Sequence, residues 1–137
     1  MKFDSVKALQ KFATEFAKEL AAPKCVALHG DLGAGKTEFA RAVIQALVGA
    51  DTIVPSPTFT LVQEYRTRGK RQGIRISHFD LYRVKNPAEL EEIGFFDAIT
   101  QNITLIEWPE IAEDFLPPDT TLVHIDIQGE GRGITIK

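Results

Sequence analysis

The sequence is poor in the residues that build disulfide-stapled or metal-stapled folds. Cys25 is its only cysteine, so no internal disulfide can form. The apolar neighbours Val26-Ala27-Leu28 mark that thiol as a buried strand residue rather than a reactive group. No set of cysteines and histidines stands close enough in sequence to suggest zinc, and no nucleophilic triad is visible. Long apolar runs are missing too: none approaches the roughly 20 residues a membrane-spanning helix needs. Met1-Lys2-Phe3-Asp4 opens without an apolar export segment, so a cytoplasmic protein without membrane association is expected. Repeats and low-complexity tracts are absent, and 137 residues suit a single domain spanning 1–137.

Charge is unevenly spread. Residues 1–86 carry 14 Lys+Arg against 8 Asp+Glu, net +6, whereas residues 87–137 carry 2 against 11, net −9. A chain polarised in this way can orient a partner if the polarity survives in space. The basic extreme, Arg66-Thr67-Arg68-Gly69-Lys70-Arg71-Gln72-Gly73, reads first as a solvated hairpin loop. A phosphate or nucleic-acid contact and an acidic protein partner are the alternatives; with no long basic stripe beside it, RNA contact is possible here but not indicated.

What the sequence does contain is one complete pattern, Gly30-Asp31-Leu32-Gly33-Ala34-Gly35-Lys36-Thr37. It fits the phosphate-binding loop at every fixed position. Glycines let backbone N–H groups curl around a β-phosphate, the lysine reaches the β/γ-phosphates, and the threonine hydroxyl serves Mg²⁺. The setting agrees: Cys25-Val26-Ala27-Leu28 precedes the loop as a buried strand would, and Phe39, Ala40, Val43, Ile44 and Leu47 follow at helical spacing up to a stop at Gly49. The start of that helix adds unpaired N–H groups and the positive end of its dipole. A nucleoside triphosphate is the expected ligand.

Around this centre the chain punctuates itself clearly. Asp4 or Ser5 can cap a first helix with an apolar stripe of Val6, Leu9, Phe12, Ala13, Phe16 and Leu20, and Pro23 separates it from a strand at Lys24–His29. Asp51–Pro57 is expected to be extended. Thr58–Tyr65 and Ile74–Phe79 read as a hairpin placed where a crossover helix would otherwise lie, which makes the sheet mixed. Asn86 and Pro87 start a helix over Ala88–Ile93, and Gly94 interrupts it before Phe95, Phe96 and Ile99. Asn102–Glu107 reads as a central strand, and Leu122–Ile127 and Gly133–Ile136 as two more strands around Gly129-Glu130-Gly131-Arg132. The fold class is therefore α/β: a single-domain phosphate-loop NTPase fold with a mixed, largely parallel sheet flanked by helices.

A phosphate loop binds charge but does not by itself arrange hydrolysis, which also needs a magnesium-holding acid and a group that orients water. Asp80 and Glu107 each end an apolar strand segment and would reach the phosphate edge if those strands run parallel to Lys24–His29. Glu107 is the better magnesium partner because it closes the more uniformly apolar strand; a helix cap or surface carboxylate is the alternative. Asp80 suits a water-orienting base or a group behind the metal, with a salt bridge to Arg83 as the plain alternative. Arg83 and Arg132 could each neutralise phosphate charge, and Arg132 could instead stack on the base. For His29 and His78 ordinary strand-end hydrogen bonding is expected. Trp108 could be an aromatic lid, a partner contact or core filling.

These residues resemble a known bacterial family, TsaE, the small ATPase component of the tRNA threonylcarbamoyladenosine biosynthesis machinery. The likeness is carried by GDLGAGKT at 30–37, SPTF at 56–59 followed by Leu61-Val62 and Glu64-Tyr65, His78-Phe79-Asp80-Leu81-Tyr82-Arg83, and Glu107-Trp108-Pro109. It implies a Mg²⁺-dependent ATPase, weakly active alone, with Lys36, Asp80 and Glu107 as catalytic candidates and Thr37 and Glu107 holding magnesium. Residues 30–37 and Arg132 would bind the nucleotide. Ser56–Phe59 and Asp80–Arg83 resemble segments that report the phosphate state, and Trp108 matches a functional position. The resemblance further implies as partners the tRNA threonylcarbamoyl transferase subunit and its inactive paralogue, which modify adenosine 37 of tRNAs reading codons that begin with adenine. The ATPase would reset that complex between rounds. Two other functions remain open: a nucleotide-controlled interaction module without significant hydrolysis, and a small metabolite kinase.

Overall fold

The computed structural model describes residues 2–68 and 73–137, so the centre of the basic run, Gly69 to Gln72, lies outside the described residues. The chain forms β1 (Lys2–Phe3), α1 (Val6–Lys18), β2 (Lys24–His29), α2 (Lys36–Val48), β3 (Val62–Arg66), β4 (Arg75–Asp80), α3 (Ala88–Glu92), α4 (Phe95–Gln101), β5 (Ile103–Glu107), a 3₁₀ helix (Pro109–Phe115), β6 (Thr121–Gln128) and β7 (Gly131–Ile136). The strands make one mixed sheet in the order β1-β7-β6-β2-β5-β4-β3. Its four middle strands are parallel, and the antiparallel pairs lie at the two margins.

Alternation along the middle strands divides the interior into two cores. Val26, Leu28, Ile103, Leu105 and Ile76 point to one face, where α1 and α2 pack; Cys25, Ile106 and Phe79 point to the other, covered by α3, α4 and the 3₁₀ helix. Phe39 of α2 anchors the first core, in ring contact with Phe12 and Phe16 of α1 at centroid distances of 6.2 and 5.5 Å. Burying one such ring contributes roughly 1.5–3 kcal/mol. Ser5 caps α1, its hydroxyl accepting a hydrogen bond from the Ala8 N–H at 3.1 Å. Among the described residues no helix is long and apolar enough to cross a membrane.

The expected hairpin is present, but β3 begins at Val62 rather than Thr58. The Leu61 N–H donates to the Pro57 carbonyl at 2.7 Å, closing a turn, and Leu61 takes a positive φ of 70°. A left-handed residue cannot continue a pleated strand, so Thr58–Thr60 stand off the sheet as a turn. Val6, expected in the apolar stripe, is 68% exposed. β1 is an addition to the expected elements: its two residues pair antiparallel with Gly133 and Arg132 of β7. Gly94 does interrupt the helical stretch, with a φ of 75° between α3 and α4.

Strand register positions the site. β4 and β5 are parallel neighbours with Asp80 opposite Glu107, and Glu107 is also opposite Leu28 on β2. Both acids therefore end their strands where β2 runs into the phosphate loop. They share parity with Ile76 and Leu105, so they point to the face on which α2 begins.

Candidate phosphate site

The loop leaves β2 at Gly30 and enters α2 through Gly35. Gly30 approaches β6 so closely that a Cβ there would sit 2.4 Å from the Ile125 carbonyl oxygen, contact only glycine permits. Gly35 caps α2 with a φ of 113° and no side-chain hydrogen bond, which leaves the helix start open to an anionic ligand. Lys36 is buried. Its ammonium donates to the carbonyls of Gly30 and Asp31, the latter at 2.9 Å, and lies 3.9 Å from the centre of the Trp108 ring. Burial lowers the Lys36 pKa from its usual value, opposed by the carboxylates of Glu107, Glu110, Asp80 and Asp31.

Beside it the two acids are held differently. Glu107 accepts from the Thr37 hydroxyl at 2.8 Å on one oxygen and meets His78 Nε2 at 2.6 Å on the other. Asp80 accepts from the Tyr82 N–H at 2.9 Å and from the Thr58 hydroxyl at 3.1 Å, and the Thr58 hydroxyl is 2.7 Å from that of Ser56. The turn forced by Leu61 is thus what brings Thr58 to Asp80. The extended segment before it is pinned to α2: Arg41 Nε donates to the Val54 carbonyl at 3.0 Å and Gln45 to the Thr52 carbonyl at 3.1 Å. Together Leu32, Gly33, Gly35, Lys36, Thr37, Arg41, Ser56, Thr58, Asp80, Glu107 and Trp108 line a cavity of about 330 Å³.

Trp108 earns its position from the backbone. It adopts φ 55° and ψ 60°, a left-handed turn directly after Glu107, and Pro109 then opens the 3₁₀ helix. Such a conformation costs a side-chain-bearing residue about 1–2 kcal/mol. It puts the indole over Lys36 and against Tyr82, with ring centroids 4.8 Å apart.

On the opposite flank of the loop, Arg132 reaches the Gly33 carbonyl with Nη2 at 3.5 Å. It shares a second cavity, about 230 Å³, with Phe3, Val6 and Leu9 on one wall and Gly33 to Gly35 on the other. This wall follows from β1, which two residues of sequence could not announce.

The structure thus brings together Lys36, Thr37, Asp80 and Glu107, and places Arg132 on the loop's far side. Arg83 stacks on Phe59, its guanidinium carbon 5.3 Å from the ring centre, and among the described residues Asp80 forms no ion pair with it. His29 sits at the end of β2 with Nδ1 3.9 Å from Glu110, beyond hydrogen-bond distance. His78, for which only ordinary strand-end hydrogen bonding is expected from the sequence, is fully buried and bonded to Glu107. The available signal was its spacing, two residues before Asp80, which puts both on one strand face.

Fold and loop define an α/β domain of the phosphate-loop class. Within that class the chain belongs to the family whose model is described as "Threonylcarbamoyl adenosine biosynthesis protein TsaE", which matches residues 3–134. The chain is similar to the tRNA threonylcarbamoyladenosine biosynthesis protein TsaE of Rickettsia typhi, 43% identical over 124 residues that cover 90% of this chain and 83% of that one. The TsaE protein of Haemophilus influenzae is 46% identical over 112 residues, covering 81% and 68% of the two chains. That of Bacillus subtilis is 34% identical over 129 residues, covering 93% and 75%. Among solved structures, the crystal structure of Bacillus subtilis YdiB superposes with a TM-score of 0.75 at 27% identity, covering 99% of this chain and 82% of that one.

Proposed function

We propose that this chain is a Mg²⁺-dependent ATP hydrolase, weakly active alone, that supports threonylcarbamoylation of adenosine 37 in tRNAs reading codons that begin with adenine. Its partners in this reading are the threonylcarbamoyl transferase subunit and its inactive paralogue, and hydrolysis resets their complex between rounds in the cytoplasm. The observation that carries the reading is the convergence of Thr37, Glu107 and Asp80 beside the mouth of a phosphate loop.

The donor set suits the ligands. Thr37 and Glu107 offer hard oxygen atoms, and Mg²⁺ is ordinarily held by one or two carboxylates together with substrate phosphates rather than by an all-protein cage. When bound, Mg²⁺ would neutralise charge on the β- and γ-phosphate oxygens. The protein's own part is positional. The open start of α2 and the loop amides grip the triphosphate, and Lys36 exchanges its loop carbonyls for phosphate oxygens. Asp80 orients the water whose oxygen attacks the γ-phosphorus as the bond to the bridging oxygen breaks, giving ADP and phosphate. Thr58 and the Tyr82 N–H keep the Asp80 carboxylate aimed. The cavity beside Arg132 takes the base end of the nucleotide.

Because Thr58 and Tyr82 flank Asp80, a change at the γ-phosphate is passed to exposed residues: Phe59 is 84% exposed and Tyr82 54%. These are the surfaces through which a partner would sense the phosphate state. The deciding experiment is a reconstituted turnover assay with ATP, both transferase subunits, substrate tRNA and preformed threonylcarbamoyl-adenylate. The proposal expects many modification rounds with ATP and one round without it. Stable assembly with no stimulation of ADP release would instead favour the interaction module, and phosphorylation of a small acceptor would favour the kinase.

A further inference from the structure

His78 lies on β4 between Ile76 and Asp80 and has no solvent exposure. Opposite Leu105 in register, it reaches diagonally along β5 to Glu107, and Nε2 stands 2.6 Å from Oε2. Its other nitrogen, Nδ1, is buried with no hydrogen-bond partner. Packing alone does not account for such a residue. An apolar side chain of similar volume would fill the same space without a polar ring to desolvate, so the compensating interaction is the bond to Glu107.

That bond also fixes the tautomer. A carboxylate oxygen accepts, so Nε2 carries the hydrogen and donates. On the other side Thr37 donates its hydroxyl hydrogen to Oε1. Both Glu107 oxygens are thus tied from opposite sides, by α2 and by β4, and the carboxylate plane cannot swing. Each oxygen keeps further lone-pair capacity, and the Thr37 oxygen keeps its own lone pairs free.

We propose that His78 is a positioning residue for the cation site: its Nε2–H holds the Glu107 carboxylate in the orientation in which Glu107 and Thr37 together accept a divalent cation beside the phosphate loop. The inference rests on the reading of Glu107 as a magnesium ligand. Groups that orient a ligand from behind in this way commonly carry 10–100-fold in metal affinity.

The test measures Mn²⁺ binding to the full chain loaded with a non-hydrolysable ATP analogue, by electron paramagnetic resonance of free Mn²⁺, in the wild type and in His78→Leu, His78→Gln and Glu107→Ala. His78→Leu is expected to weaken Mn²⁺ binding about 10–100-fold. Affinity for the analogue in EDTA should be unchanged. His78→Gln, whose amide nitrogen can stand in for Nε2, is expected to recover much of the loss. A folded His78→Leu protein with wild-type Mn²⁺ affinity overturns the proposal when Glu107→Ala has lost it. Wild-type affinity in Glu107→Ala overturns the magnesium reading of Glu107 and the proposal with it. Should His78→Leu fail to fold, long-range ¹H–¹⁵N correlation spectra of the wild type decide. A hydrogen on Nε2 supports the assignment, and a ring bare at Nε2 refutes it.

Discussion

On the β4–β5 side of the phosphate loop the polar side chains meet one another: Thr37 bonds Glu107, Glu107 bonds His78, and Thr58 bonds Asp80. On the β7 side Arg132 bonds backbone carbonyls, and the neighbouring wall sets the apolar Phe3, Val6 and Leu9 beside the polar Asp4, Glu38 and Glu130. The first side holds its dipoles in place before any ligand arrives, which is what stabilising a transition state requires. The second offers surface area and one cation held only by backbone carbonyls, which suits affinity without demanding fixed geometry. In the proposed function, chemistry and grip would fall on opposite flanks of one loop.

The sharpest way to break this contrast is on the chemical flank. Asp80→Asn is expected to retain ATP binding and lose hydrolysis by about 10²–10⁴-fold, the range for removing a positioned acid–base group. Phosphate release and an equilibrium nucleotide titration check the two halves of that statement. Lys36→Ala should cost about 10²–10³-fold in turnover, as removal of one charge-stabilising donor does. Normal turnover in either variant would dissolve the distinction. On the gripping flank Arg132→Ala should weaken nucleotide affinity about tenfold, near 1.4 kcal/mol, with saturated turnover unchanged; a defect confined to partner binding would reassign that side. Arg41→Ala tests whether the segment before Thr58 must be pinned to α2. The lost hydrogen bond is worth about 1 kcal/mol and should appear as a modest fall in turnover, with nucleotide affinity intact.

A null effect completes the series. Cys25 lies in the opposite core, and burial is the main cause that pushes its thiol up from an ordinary value of 9.0 to about 11. Because the folded value is the higher one, this contribution to stability is full below pH 9 and is lost as pH rises through about 11. At pH 8 iodoacetamide should therefore label the folded protein very slowly, and none of the flank variants should speed labelling. Fast labelling in any of them would mean that the substitution had loosened the whole domain.

Much of this arrangement was legible because its signals are local. Lys24–His29 and Asn102–Glu107 read as apolar strands, GDLGAGKT brought its own backbone requirements, and parallel register then carried Asp80 and Glu107 to the loop as anticipated. The rest depended on tertiary partners. β1 is too short to show a period, and it is a strand only because β7 lies beside it. Thr58–Leu61 has strand-like composition, but the Pro57–Leu61 bond turns the backbone away. The bond from His78 to Glu107 crosses two strands distant in sequence, so neither residue reveals the other. Arg83 read as a phosphate neutraliser, a salt-bridge partner of Asp80 or an exposed structural arginine, and its guanidinium lies over Phe59 instead.

Trp108 is the single tryptophan of the chain, and in the structure its ring carries a lysine ammonium on its face. A cation at that distance perturbs the indole's excited state, so the protein contains an intrinsic optical gauge of where that ammonium stands. As polyphosphate draws Lys36 from the carbonyls of Gly30 and Asp31, the emission should shift in step with occupancy. Filling of the loop can then be followed without a label, in real time, and separately from any later bond cleavage.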